Sequence, residues 1–189
     1  RNHIASKADK KYLNDRGSNT FYTTYVCHNL HFKIYGAMFL GQIKPALEAA
    51  NELQNLLSEE VVRPSADWLE SYYPMKFHVL VRFGMWDEII GQELPRDGEL
   101  YCFTTALTYY AKTIAYAATN LIDEAEKQKE LFFKAIKTVP ETRVLFNNLC
   151  TDILAIAADM LEGEVAYRKK EYSKSFDHFN SSASTNIKT

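Results

Sequence analysis

Residues 27 to 31, Cys-His-Asn-Leu-His, set a thiol and two imidazoles within little more than one helical turn, in a chain of 189 residues with five histidines and three cysteines. On a helix, His28 and His31 stand at i and i+3 and face the same side, so both rings could reach one ion or one ligand. Cys27, four residues before His31, could join them from the edge of that face. Zinc takes four ligands, or three plus water, so this helix cannot complete a site alone. Within the chain the further donors are His78 and the carboxylate of Asp152. The metal candidates are therefore Cys27, His28, His31 and His78, with zinc or another divalent ion as the bound species.

Other chemistry finds less support. Neither HExxH nor a paired CxxC spacing is present. There is no glycine-flanked serine elbow, no phosphate-cradling glycine loop and no Cys-His signature of a nucleophilic enzyme. Enzymatic activity is accordingly not the favoured expectation, and no cofactor is expected if the metal reading fails. Three readings of the histidines stay open: a metal site, imidazoles hydrogen-bonded between neighbouring helices, and a binding surface without metal. His178 and His3 are assigned no role.

The elements that must position these residues are helical. Hydrophobic residues make up 47% and aromatic ones 13% of the chain, enough to bury a substantial core in one domain or one stack of repeats. Seven glycines and five prolines are few, apolar residues recur at helical spacing, and strand alternation is lacking. The spacing predicts helices over about Phe21 to Leu40, Pro45 to Leu57, Ala66 to Arg82, Cys102 to Ala118, Ile122 to Lys137 and Asn148 to Arg168. Shorter ones are predicted over Trp86 to Gly91 and Tyr172 to Ser181. Pro45 and Pro140 suit helix starts, Ser65 and Asp67 offer N-cap oxygens, and Gln92 to Leu100 reads as a surface loop. The expected fold class is all-α, with a single domain over 1–189 and a polar tail over about 182–189.

Charge excludes some partners. Twenty-two basic and 24 acidic side chains give a net charge of -2, without the basic footprint of a nucleic-acid or anionic-membrane binder. Cys27, Cys102 and Cys150 are odd in number and far apart, which argues for buried free thiols in a reducing compartment. The chain starts at Arg1 rather than methionine, so a removed targeting segment stays open, and a cytoplasmic location is the default expectation.

Helix junctions repeat a pattern. Gly41-x-Ile43-x-x-Ala46, Gly84-x-Trp86-x-x-Ile89, Asn120-x-Ile122-x-x-Ala125 and Lys170-x-Tyr172-x-x-Ser175 each give a turn residue, a large apolar residue, and a small or apolar one three further on. The anchors lie roughly 36 to 50 residues apart, the scale of helix-pair repeats. In GEVAYRKKEYSKSFDHF, residues Gly163, Ala166, Tyr172, Ser175 and Phe179 fall at the spacings of the tetratricopeptide pattern. The chain thus resembles a tetratricopeptide-repeat protein.

The strings HNLHF, LGQIKPALEAA, PMKFHVLVRFGMWDEII, TTALTYYAKTIAYAAT and MLEGEVAYRKKEYSKSFDHF are similar to those of a narrower tetratricopeptide-like group with histidine motifs. The similarity runs from about Ala5 to Phe179. It implies about four antiparallel helix pairs in a right-handed superhelix, with Arg1 to Tyr12 as the tail of a preceding helix and further repeats outside this chain. Members often have proline where this chain has Cys27, and some have histidine in place of Tyr109. A repeat stack presents a concave groove lined by the first helix of each pair. The favoured expectation is a module that binds a peptide or protein partner there, with His28, His31, Tyr73, His78 and Tyr109 as groove candidates. The alternative is a histidine-dependent metal-binding protein or enzyme, completed by repeats outside this chain.

Overall fold

Four times the chain ends a helix on a residue in the left-handed region and starts the next helix two residues later. The residues are Gly41 (φ 69°), Gly84 (φ 66°), Asn120 (φ 62°) and Lys170 (φ 66°). Each junction closes with the same pair of bonds. The amide after the turn residue donates five residues back, from Gln42 to Ala37, Met85 to Leu80, Leu121 to Tyr116 and Glu171 to Ala166, at 2.8 to 2.9 Å. The turn residue's own amide donates to Met38, Val81, Ala117 or Tyr167. This is the Schellman motif, which satisfies carbonyls that a helix end leaves orphaned. Five residues past each turn, Ala46, Ile89, Ala125 and Ser175 are all 0% exposed, so the small or apolar position in the sequence pattern is the one buried against the partner helix.

The computed structural model describes residues 8, 9, 11–13, 15, 17 and 22–184. Its helices are α1 (Tyr22–Phe39), α2 (Ile43–Leu56), α3 (Glu59–Val62), α4 (Ala66–Leu69), α5 (Met75–Arg82), α6 (Trp86–Ile90), α7 (Cys102–Ala118), α8 (Ile122–Ala135), α9 (Cys150–Arg168) and α10 (Tyr172–Ser184). Tight 3-10 turns occur at Arg63–Ser65, Glu70–Tyr72 and Ile136–Thr138. One antiparallel hairpin pairs β1 (Val144–Leu145) with β2 (Asn148–Leu149). Among the described residues the fold is therefore all-α apart from this hairpin. Expectations for His3, for most of Arg1 to Tyr12 and for the tail beyond Ser184 fall outside the described residues.

Helices packed as hairpins are α1 with α2, α5 with α6, α7 with α8 and α9 with α10. Consecutive hairpins touch through α1 and α5, α5 and α7, then α7 and α9. Helix α7 buries Phe103, Ala106, Leu107, Ala111, Ile114, Ala115 and Ala117 on several sides, as expected of a helix enclosed by neighbours. Its small residues let those neighbours approach.

Three predicted features are corrected. Ala66 to Arg82 is not one helix: Pro74 occupies the N-cap of α5, because its ring has no amide to donate and clashes with the preceding turn. Pro140 does not begin a helix but lies in a turn whose Arg143 amide donates to its carbonyl. The predicted start at Asn148 moves to Cys150, since Val144 to Leu149 form the hairpin. Ser65 occupies the N-cap of α4 but makes no side-chain capping bond.

A buried ion pair anchors that hairpin. The Glu70 carboxylate is fully buried and accepts from the backbone N–H of Thr104 at 2.7 Å and from the Thr104 hydroxyl. It therefore caps the first turn of α7 from a distant segment, where the helix dipole favours an anion. Arg143, also buried, lies 3.8 Å from Glu70 and donates to the carbonyl of Ala66 at 2.6 Å. Ser71 donates to the carbonyl of Val144 at 2.7 Å. The hairpin is held from both sides, and its tip, Phe146, reaches back to α1.

Candidate functional site

His28 and His31 do share a face of α1, and the ring of Phe146 fills the space beside them. Its centroid lies 4.4 Å from His28 and 5.7 Å from His31. Phe146 also packs edge-on against Tyr72 at 5.6 Å, and does so from a left-handed backbone at φ 56°, uncommon for a bulky residue. Among the described residues no hydrogen-bond partner meets the buried Nδ1 atom of either histidine. Burial pushes the His31 imidazole down to about 4, helped by the neighbouring His78 and His28, so this ring is neutral at physiological pH.

Cys27 points elsewhere. It is buried in the core that α1 shares with α2, α3, α4 and α5, and burial pushes its thiol up to about 12. Cys102 and Cys150 are likewise free and buried. Asp152 is half-buried in the first turn of α9. Among the described residues no group of three or more His, Cys, Asp or Glu side chains is placed to hold an ion.

His78, on α5, is joined to α1 by another aromatic. The Tyr35 hydroxyl lies 3.1 Å from its Nδ1, and the Tyr35 ring also packs edge-on against His31 at 4.8 Å. Burial holds the Tyr35 phenol above its ordinary range and pushes His78 down to about 4. Both groups are neutral at pH 7. With the Tyr35 hydroxyl as donor, Nδ1 of His78 is the acceptor and the ring proton sits on Nε2; in the other neutral tautomer Nδ1–H donates to the phenol oxygen.

That ring lines a cleft of about 230 Å³ between α5 and α7, with Phe77, Val81, Arg82, Leu107 and Tyr110 as the other walls. Leu107 and Phe77 are buried, Val81 and Tyr110 half-buried, and Arg82 is exposed at the mouth. His78 and Arg82, at i and i+4, sit on one face of α5. Burial, and then the carboxylate of Glu164, push the Tyr110 phenol up to about 12.

The two tyrosine candidates part ways. Tyr73 is half-buried, packs against Tyr101 at 5.0 Å, and lines a second, more polar cleft of about 330 Å³ with Gln54, Phe77, Arg96, Tyr101 and Thr108. Tyr109 and Tyr110 both pack partly buried against the core shared by α7, α8 and α9, and of the two it is Tyr110 that lines the His78 cleft. The structure thus brings His28 with His31, and His31 with His78 through Tyr35, but leaves Tyr73 in the adjoining cleft and Tyr109 in the packing. Tyr35 and Phe146 escaped the sequence reading, which weighed the tandem Tyr109 and Tyr110 and chose Tyr109. Only Tyr35 had a signal, its i+4 spacing from His31. His178, which was assigned no role, is half-buried with Nδ1 3.2 Å from Asp159.

Compared with protein families, curated proteins and solved structures, the chain matches none. Among the described residues no helix is long and apolar enough to cross a membrane.

Proposed function

We propose that this chain is a tetratricopeptide-like helical-repeat module that holds an extended segment of a protein partner along a groove formed by α1, α5, α7 and α9. The four identical junctions and the chain-order packing of the hairpins support this reading. The observation that carries it is the His78 cleft, which opens between two consecutive first helices. At about 230 Å³ it falls below the roughly 300–1,000 Å³ of pockets for drug-sized ligands. It suits one apolar side chain of a partner, and its rigid walls reduce the ordering cost of binding.

Panning a random heptapeptide library, displayed with its C-termini fused to the carrier, tests the reading. Binders should share one large apolar residue and lose affinity for Val81→Phe, which fills the cleft from a half-buried rim position. Should that variant lose its helical circular dichroism, Val81→Met serves instead. Absence of any binder that the filled cleft rejects would remove the proposal.

A further inference from the structure

The walls of the His78 cleft are mainly apolar, and the charged residue among them is Arg82. Tyr35 occupies Nδ1 of His78 at 3.1 Å, which leaves Nε2 as the ring nitrogen available to a ligand, a neutral N–H donor when the Tyr35 hydroxyl is the donor to Nδ1. Arg82, one turn along the same face, is exposed, and among the described residues no acidic side chain pairs with it. Glu164, the carboxylate that faces Tyr110, is itself bonded to Arg168 at 2.8 Å. None of the six cleft residues is acidic. The cleft therefore presents a cation at the rim of an apolar hole.

Resting on the groove reading, we infer that the cleft recognises a large apolar side chain flanked by an aspartate or glutamate, the apolar group entering between Leu107 and Tyr110 and the carboxylate meeting Arg82 and Nε2–H of His78. A guanidinium binds a carboxylate through paired N–H donors, and the Nε2–H tautomer of His78 adds a second donor without a second charge. An amide in place of the carboxylate keeps its acceptor oxygen but loses the ionic attraction. A basic flank meets Arg82 as a like charge.

The same heptapeptide panning decides the matter, because fused C-termini leave only side-chain carboxylates. Peptides rejected by the filled cleft should carry Asp or Glu beside the apolar residue. A synthetic binder should then weaken at least about threefold when that residue becomes Asn or Gln. Arg82→Gln should weaken the acidic peptide by a similar factor and the amide peptide by less than about twofold. Cleft-dependent binders without an acidic flank, or equal losses for both peptides in Arg82→Gln, would overturn the inference and leave the groove reading standing. No cleft-dependent binder at all would overturn both.

Discussion

The hydroxyl of Tyr35 lies 3.1 Å from Nδ1 of His78, joining α1 to α5 by a bond between two half-buried side chains. Tyr35→Phe keeps the ring and removes the donor, leaving Nδ1 inside without a partner. The loss should be about 1–3 kcal/mol, read from the urea midpoint. Nitrogen NMR of the wild-type ring should find the proton on Nε2, and an unchanged midpoint with the proton on Nδ1 would contradict the assigned network.

Both His31 and His78 have imidazoles held down to about 4, against an ordinary value near 6.5. Below about pH 6.5 the unfolded chain takes up protons that the folded chain refuses until about 4, so the unfolded state gains. Stability is complete above that upper value and falls as pH drops through the window. The ceiling is roughly 3 kcal/mol for each ring, reduced by the solvent that both still meet. Urea unfolding at pH 7.5 and pH 5.5, where most carboxylates remain ionised, should show the loss. His31→Leu should reduce it to the share of His78, and equal stability of the wild type at both pH values would disprove the burial of these rings.

The left-handed junctions give paired changes of opposite sign. Lys170 pays a steric cost at φ 66° that glycine avoids, so Lys170→Gly should be neutral to stabilising by up to about 1 kcal/mol. Gly41→Ala, with open space around the added methyl, should cost about 1 kcal/mol through backbone strain alone. Thermal unfolding of the two variants checks the pair, and a loss in the first with no loss in the second would contradict the shared geometry.

Gly163 is required for a different reason. A Cβ there would stand 2.5 Å from Cε1 of Phe179, while the Gly163 carbonyl accepts from the Ser175 hydroxyl at 2.8 Å. Gly163→Ala must push α9 and α10 apart or tilt the ring, at about 1–3 kcal/mol. The cost should shrink in a Phe179→Leu background when the double-mutant cycle is measured by denaturant. Strict additivity would show that the two positions do not meet.

How much of this could be read from the chain follows from what is local. The junctions were legible because a left-handed turn needs one residue and a helix start needs its neighbours, so Gly41, Gly84 and Asn120 announce themselves. Even Lys170 was found, through the apolar spacing around it rather than through its own type. The shared face of His28 and His31 was legible from the helical period alone. Phe146 was not, because strands of two residues carry no alternation and Asn147 and Asn148 equally suit a helix start. Nor could spacing tell Tyr109 from Tyr110: adjacent residues on α7 differ by about 100° in direction, and which one meets His78 depends on how α5 crosses. Glu70 and Arg143 pair across a separation that only the folded chain closes.

Amide-shift mapping of the full chain with a panned heptapeptide tests partner binding in the groove most directly. Perturbations should cluster on Phe77, His78, Val81, Leu107 and Tyr110, and extend along α5 and α7. A peptide whose contacts map instead to the outer faces of α8 and α10, with the His78 cleft unmoved, would contradict the account.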